Sequence, residues 1–226
     1  MVTPMSPSLR PLPRRLFALS TLAFALFAAG CRDGKPGSGK VITETRNVAD
    51  FTALELQGAY VVDLQLGAAT KLEITGDDNL VPLLETTVVD GRLVVKAKEP
   101  IAPKVELTLH LTTKDVSSIE ADGAVVLRVR NIDNARLFLR FAGVSGGLLE
   151  GKTQELEAKI LGAGGLDGTK LDAARVKLDL SGVGRVDVNA TEELVADVSG
   201  AGSVKYGGNP KSVKKTVSGA GSVTAR

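Results

Sequence analysis

A short glycine phrase that returns about every 19 residues constrains the fold of this chain more than any other feature. In most copies a small or polar residue precedes Gly, a small residue follows it, and a second Gly often comes next. The first glycines of the six copies lie 20, 19, 20, 18 and 19 residues apart, and they are Gly123, Gly143, Gly162, Gly182, Gly200 and Gly219. A fixed period of this length is typical of a structure built from stacked, similar turns.

The residues before each repeated Gly alternate between apolar and polar. Apolar side chains stand two, four and six positions before the Gly in most copies, as in Leu137, Leu139 and Phe141. Aliphatic residues resume four positions after the Gly, for example at Val186 and Val204. Alternation with a period of two predicts short β-strands with one buried face, and the Gly predicts a corner between two strands.

Stacking of these strand pairs predicts an all-β fold. One repeat cannot cover its own apolar face, but stacked copies can align like residues into continuous rows. We therefore predict that residues 116–226 form rungs of a β-solenoid, of the parallel β-helix type, and the alternative is a β-sandwich or a meander of short strands. Lysines near the C-terminus, including Lys214 and Lys215, are expected to discourage pairing at the last strand edge.

The sequence before the repeats has the same character with less regularity. Residues 86–96 predict a β-hairpin, because the central Asp90-Gly91 pair favours a tight turn. Alternating aliphatic residues over 105–111 predict another strand. Residues 78–85 are the one segment that could form a helix, with a proline near its first turn.

The N-terminal residues predict export and a lipid anchor. Three arginines precede an apolar run over residues 16–29, which is too short to span a membrane and is typical of a secretory signal peptide. The small residues directly before Cys31, the only cysteine, resemble the lipobox of bacterial lipoproteins. This resemblance implies that residues 1–30 are a signal peptide and that Cys31 becomes the lipidated first residue. The alternative is an ordinary signal peptide beside an unrelated cysteine.

The residue after the cysteine bears on the destination of the protein. Arg32 stands where an Asp would retain a lipoprotein at the inner membrane, so the chain resembles an outer-membrane lipoprotein, facing the periplasm or the exterior. A membrane, reached through a lipid anchor at Cys31, is then its first partner. Residues 31–46 are polar and rich in Gly at their start, and we predict that they form a flexible tether to a domain at residues 47–226.

Charge and composition exclude several classes of function. The chain has 28 basic and 26 acidic residues, and loss of the three signal-peptide arginines leaves 25 against 26. This balance argues against a nucleic-acid partner, which requires a concentrated basic face. With Cys31 lipidated, no thiol remains for a disulfide, a catalyst or a metal site. Trp is absent, so the stacking platforms of many sugar-binding sites are not obvious.

The corner phrases resemble the GIN domain family, commonly labelled "putative auto-transporter adhesin, head GIN domain". The motifs that carry the resemblance are Ser-Gly-Ala-Gly-Ser-Val at 199–204 and again at 218–223, Lys-Tyr-Gly-Gly-Asn-Pro at 205–210, and the opening segment 48–58. The resemblance covers residues 47–226 and implies a right-handed, solenoid-like β fold on the cell envelope, with no catalytic residues. The chain departs from the phrase at residues 142–147.

Three short motifs resemble ligand sites. Residues 34–40 match the first seven positions of a phosphate-binding loop, but the eighth is Val41 and no strand precedes them, which favours a tether. Residues 164–168 resemble a calcium-binding β-roll, which requires tandem copies, and this favours a structural corner. Residues 77–79, Asp-Asp-Asn, could offer oxygen ligands to calcium, and an exposed turn is the preferred interpretation. We therefore predict no metal site and no cofactor.

Isolated polar and aromatic residues offer little chemistry. His110, the only histidine, falls at an outward strand position without a visible Ser or Cys partner. Tyr60 and Tyr206 could touch a ligand, although Tyr at strand ends is ordinary. Ser181, Ser199 and Ser218 would form a row along one edge if rungs stack, and local bonding to the backbone is the preferred interpretation.

These observations favour a non-enzymatic, lipid-anchored envelope protein with a binding, adhesive or structural role. Its expected partner is an envelope or extracellular polysaccharide or protein, and its ligand-binding residues are unknown. One alternative is a polysaccharide-acting enzyme, which rests on analogy with other β-helix proteins. Another is an assembly partner that docks through a strand edge.

Overall fold

The computed structural model describes residues 34–226 and contains almost entirely β-strands, which confirms the all-β prediction. The predicted signal peptide at 1–30 and Cys31 lie outside the described residues. Within residues 34–226, no helix is long and apolar enough to cross a membrane.

Fourteen strands and one 3₁₀ turn (Val81–Leu83) make up residues 34–226. The strands are β1 (Lys35–Pro36), β2 (Val41–Arg46), β3 (Ala53–Leu66), β4 (Lys71–Asp77), β5 (Leu84–Val89), β6 (Arg92–Ala97), β7 (Ile101–Ala102), β8 (Thr108–Thr113), β9 (Ser118–Ile160), β10 (Ala163–Leu180), β11 (Val183–Val198), β12 (Ala201–Gly207), β13 (Ser212–Val217) and β14 (Ser222–Ala225).

Strands β9 to β14 pair in parallel, each with the strand that lies about one repeat away in the sequence. β10 pairs with β9 on one edge and with β11 on the other, and β11 continues to β12 and β13. The register places Leu178 of β10 beside Ala158 and Ala196 of its neighbours. Like positions of successive repeats therefore form columns across the sheet, as the glycine period predicts.

The first Gly of each corner forms a continuous column. Except at Gly58, where it would meet the Tyr60 side chain, a Cβ added at any of these glycines would overlap a backbone carbonyl oxygen in the preceding corner of the column. The column consists of Gly58, Gly123, Gly143, Gly162, Gly182, Gly200 and Gly219. Only the first three have positive φ, so close approach of neighbouring backbones explains the requirement for Gly through most of the column.

Buried columns alternate large and small side chains. Leu139, Ala158, Leu178 and Ala196 lie four positions before successive column glycines, and each is at most 1% exposed. A large side chain therefore packs between small ones in the adjacent repeats. The buried residues form one cluster that extends from Phe51 to Val223, so the domain has a single core.

The N-terminal half joins the same sheet through β3. β3 pairs in parallel with the start of β9, Ala53 beside Ser118, across an insertion that holds β4 to β8. On its other edge β3 pairs in parallel with β6 and β8. β4 and β5 then pair antiparallel to these strands, and β2 pairs antiparallel to β4.

Local predictions for this half have mixed outcomes. The hairpin is confirmed as β5 and β6, with Asp90 and Gly91 at φ of 50° and 73°. The strand predicted over 105–111 begins only at Thr108, because the N–H of Val105 donates to Asp77 instead of a strand. A helix over 78–85 is wrong: only Val81–Leu83 is helical, and Leu84 already starts β5.

The prediction of a flexible tether is wrong for residues 34–46. β1 pairs with β7, and β2 pairs along its whole length with β4. Between them the backbone N–H of Gly39 donates to the buried carboxylate of Asp77. These strands and the hydrogen bond place the segment within the folded domain, so the domain begins before residue 47.

Candidate binding surface

Exposed apolar residues line the glycine column. We define the corner ridge as six exposed apolar residues directly beside the column glycines from Gly123 to Gly200, and they are Ala124, Val144, Leu161, Ala163, Val183 and Ala201. The strand register places Val144 beside Ala163, Ala163 beside Val183, and Val183 beside Ala201. Val144 and Val183 are 66% and 59% exposed. Because the glycines allow no side chain inside the corner, the outward residues form a regular row at strand spacing.

A groove lies beside the ridge where the outward column lacks side chains. Its floor contains Gly146 and Gly165, which are direct partners in the register, and Arg185 follows Gly165 in the same column. Val126, which is 46% exposed, and Leu148 contribute apolar walls. The groove has a volume of about 570 Å³. We call it the glycine groove.

Charged side chains edge the glycine groove on two sides. Arg128 lies on one side and the Arg185–Asp187 pair on the other. The Nε of Arg185 donates to Oδ2 of Asp187 at 2.6 Å, and this hydrogen bond and the charge of Asp187 raise the pKa of Arg185. Both guanidinium groups keep exposed donors, so the groove offers apolar walls, bare backbone and fixed charges to a ligand.

Two glycines at the groove lie in the segment 142–147, where the repeat departs from its pattern, and they differ in the space around them. A Cβ at Gly146 would meet no atom within 4 Å, so this glycine is not required for packing. Gly147 differs, because its Cβ would lie 2.9 Å from Leu166. The degraded phrase at 142–147 therefore marks an opening in the face. The sequence did not predict this site, because only the open space around Gly146 distinguishes it from the packing glycines nearby.

His110 lies beside Asp63, which forms ion pairs with two arginines. Its Nδ1 is 3.7 Å from Oδ2 of Asp63, and its side chain is 51% exposed, as the outward strand position predicts. Arg128 and Arg130 lie 3.5 and 3.4 Å from Oδ1 of the same carboxylate. The arrangement gives Asp63 two arginine partners, with His110 beside the same carboxylate.

The segments 34–40 and 77–79, which resemble a phosphate-binding loop and a calcium site, form hydrogen bonds with each other. Asp77 is fully buried, which contradicts the exposed turn expected at 77–79, and it accepts backbone N–H groups from Gly39, Lys104 and Val105. Oδ1 of Asn79 accepts the N–H of Ser38 at 2.9 Å. The oxygens that could bind calcium thus hold the segment that resembles a phosphate-binding loop.

The third motif, at 164–168, also uses its carboxylate for structure. Asp167 accepts hydrogen bonds from the N–H and the hydroxyl of Thr169, and these bonds lower the pKa of Asp167. The structure places these residues in the first part of β10, directly after the corner. Across the part of the chain that the structure describes, no three His, Cys, Asp or Glu side chains come together as a metal site.

The remaining residues singled out from the sequence divide between core and surface. Tyr60 is 4% exposed, its hydroxyl donates to the carbonyl of Gln57 at 3.0 Å, and burial raises its pKa to about 12. Ser181, Ser199 and Ser218 are exposed and directly precede column glycines, so they extend the face that carries the corner ridge.

Comparison with known proteins identifies the family of this chain and its fold. A family profile described as "Putative auto-transporter adhesin, head GIN domain" matches residues 50–210. A crystal structure of a "putative adhesin" from Bacteroides fragilis is 23% identical, with 85% of this chain and 100% of that chain covered and a TM-score of 0.69. A "putative adhesin" from Parabacteroides merdae is 17% identical, with 86% and 99% covered and a TM-score of 0.50. No curated protein matches the chain.

Proposed function

The chain belongs to the family described as "Putative auto-transporter adhesin, head GIN domain", and we propose that it is a lipid-anchored cell-envelope protein with a non-enzymatic, adhesive role. The corner ridge carries this proposal. Val144, Ala163 and Val183 expose apolar side chains in register on one face, beside the glycine groove. Contiguous exposed apolar surface with a polar rim is typical of interaction sites.

The architecture that presents this surface is, we propose, a right-handed parallel β-solenoid with rungs of about 19 residues. Parallel pairing from β9 to β14 and the glycine column support it. The handedness follows from the strong preference of parallel strand connections for the right-handed crossover. Such a scaffold is rigid along the stack, so its outward residues keep a fixed spacing.

Lipidation at Cys31, after removal of residues 1–30, completes the proposal. Its support is the signal-like N-terminus, the small residues before Cys31 and the absence of any other cysteine in the sequence. With Arg32 next to the anchor, we place the protein at the outer membrane. Labelling of cells with radioactive palmitate tests this part, since the full-length chain should incorporate label and Cys31→Ala should not.

For the ligand we propose an extended polymer, an extracellular or envelope polysaccharide or a protein, lying along the corner ridge and the glycine groove. The bare floor at Gly146 and Gly165 admits a flat ring, and Arg128, Arg185 and Asp187 offer charged hydrogen-bonding groups to hydroxyls or carboxylates.

Retention of the domain in native gels cast with bacterial and host polysaccharides, and its binding to whole cells, test the adhesive role. The wild-type domain should be retained by at least one polymer or cell surface. Val144→Ser with Val183→Ser should weaken this retention, whereas Val41→Ser with Val89→Ser, two exposed valines away from the ridge, should not. If no polymer or cell surface retains the wild type, the adhesive role is wrong.

A further inference from the structure

The first residues that the structure describes are held against the domain by a short parallel strand pair. β1 pairs in parallel with β7, the N–H of Lys35 donates to the carbonyl of Pro100 at 2.8 Å, and Gly37 donates to Ala102 at 2.9 Å. Gly34 lies so close to this strand that a Cβ there would approach the Ile101 backbone within 2.8 Å. The place where the chain leaves toward its N-terminus is therefore determined by the fold.

An apolar cleft opens beside this point. It has a volume of about 430 Å³, and its apolar lining includes Tyr60, Ala97, Pro100, Ile101, Pro103 and Leu107. A second cleft of about 320 Å³ lies next to it and shares Tyr60, Pro103 and Leu107. Together we call them the N-terminal cleft. The second cleft also contains Ala124, the first residue of the corner ridge, and Val126, which it shares with the glycine groove, so the N-terminal cleft adjoins the start of both.

Lysines surround the N-terminal cleft. Lys96 and Lys98 line one part together with Glu99, Lys104 lines the other together with Glu106, and all five side chains are exposed. Lys35 stands at the chain entry, 3.7 Å from Glu99 and 46% exposed. An apolar depression with flexible cationic side chains around it matches the interfacial region of an anionic bilayer, where ammonium groups meet phosphates and stems cover apolar surface.

The distance to the proposed anchor is short. Cys31 precedes Gly34 by three residues, which span at most about 11 Å when fully extended. A flexible tether of 16 residues would instead have let the domain tumble at an average distance of about 22 Å. If Cys31 carries lipid, the N-terminal cleft is held within reach of the membrane surface.

We propose that the N-terminal cleft lies on the membrane and binds anionic phospholipid headgroups and the adjoining acyl region, so that the stack of strands points outward. This rests on the proposed anchor at Cys31. The orientation places β14, at the other end of the sheet order, on the order of 30 Å from the surface at the usual strand spacing. The corner ridge then extends away from the membrane, with its C-terminal part outermost.

The composition of the chain permits a direct test. Cys31 is the only cysteine, so residues 31–226 can be coupled through it to maleimide-bearing lipid in vesicles, which supplies the anchor chemically. All core residues lie between Phe51 and Val223, so this segment retains the whole core. The chain has no Trp, so a single Trp introduced at an exposed position reports its own environment.

The experiment compares Pro103→Trp at the cleft with Thr224→Trp on β14, on vesicles of phosphatidylethanolamine and phosphatidylglycerol that contain brominated acyl chains. Bromine quenches Trp only on contact with the bilayer. We expect Pro103→Trp to lose fluorescence and Thr224→Trp to keep it. Replacement of Lys35, Lys98 and Lys104 by Glu should restore the fluorescence of Pro103→Trp, whereas the same change at Lys205, Lys211 and Lys214 should not.

A second measurement uses the unsubstituted chain, so its result does not depend on whether the Trp and Glu variants fold. Acetylation of lysines, followed by mass spectrometry, should slow at Lys35, Lys98 and Lys104 on coupling to vesicles and stay unchanged at Lys211 and Lys214. Equal quenching at both Trp positions, or equal acetylation at both ends, overturns the proposed orientation. Absence of palmitate on the cellular protein overturns the anchor instead, and the vesicle experiment does not depend on that result.

Discussion

Gly39 donates its backbone N–H to Oδ1 of Asp77 at 2.6 Å, and this bond ties the N-terminal segment to the end of β4. The other carboxylate oxygen accepts the N–H groups of Lys104 and Val105 at 2.9 and 3.0 Å. Three chain segments therefore meet at one buried charge. Such a group stabilises the fold only while all of its partners are present.

Asp77→Asn should lower the free energy of unfolding by about 2–4 kcal/mol, because the amide replaces an acceptor by a donor facing buried N–H groups. Urea denaturation followed by circular dichroism measures this change. Asp78→Asn is the matched control, since Asp78 is partly exposed and an amide oxygen can still accept from Ser38. A similar loss in both variants would contradict the assigned role of Asp77.

The same carboxylate predicts a loss of stability in acid. Burial raises the pKa of Asp77, but the N–H groups of Val105, Gly39 and Lys104 outweigh it and hold the pKa below its ordinary value. The resulting stabilisation is fully present above the unfolded pKa of about 4 and disappears as the pH falls through the folded pKa. The difference in unfolding free energy between wild type and Asp77→Asn should therefore narrow below pH about 4. A difference that does not change with pH would contradict the lowered pKa of Asp77, and a change of the opposite sign would show that Asp77 is protonated in the fold.

The sequence predicts the repeats well and this cluster poorly, for a physical reason. Alternating aliphatics and periodic glycines are local signals, and they place the buried columns correctly. The Asp77 cluster joins residues 38, 27 and 28 positions apart, and nothing local shows that the Gly-rich segment at 34–40 would supply donors to it. The glycine groove was missed because Gly146 resembles the packing glycines around it.

Gly182→Ala should destabilise the domain by about 2 kcal/mol or more, because its Cβ would overlap the carbonyl oxygen of Gly162 and the neighbouring strands must separate. Gly146→Ala is the control within the same stack, because a Cβ there meets no atom within 4 Å. It should change stability by less than about 1 kcal/mol, in the stabilising direction, by restricting the unfolded chain. Thermal unfolding of the two variants measures the difference. A loss in Gly182→Ala alone indicates close backbone approach, and an equal loss in both variants would indicate a general cost of replacing Gly.

Filling the glycine groove should weaken adhesion without loss of stability. Gly146→Val places a branched side chain over the floor, in the open space that the structure provides. For a polymer that retains the wild type, we expect at least about tenfold weaker binding, which corresponds to about 1.4 kcal/mol. Thr216→Val, an exposed strand position outside the groove, is the control. Unchanged affinity in Gly146→Val would leave the corner ridge alone as the binding surface.

The C-terminal strand edge should depend on its lysines for solubility. In the described part of the chain, β13 and β14 pair in parallel with one strand each, β11 and β12, which leaves their outer edge free. Lys214 is 74% exposed, and Nζ of Lys215 lies 3.3 Å from the carbonyl of Val223. Charges on an edge strand oppose pairing with another copy, so Lys214→Thr with Lys215→Thr should associate in sedimentation velocity as concentration rises.

Arg175→Thr with Lys177→Thr is the matched control for this edge, because it removes the same charge from β10. Both positions are exposed, and both are paired on their two edges, with β9 and with β11. A strand whose backbone groups are already paired cannot add another, so this variant should stay monomeric. Association of both variants would indicate that net charge governs solubility, and association of neither would show that the final strands are too short or too twisted to recruit another chain.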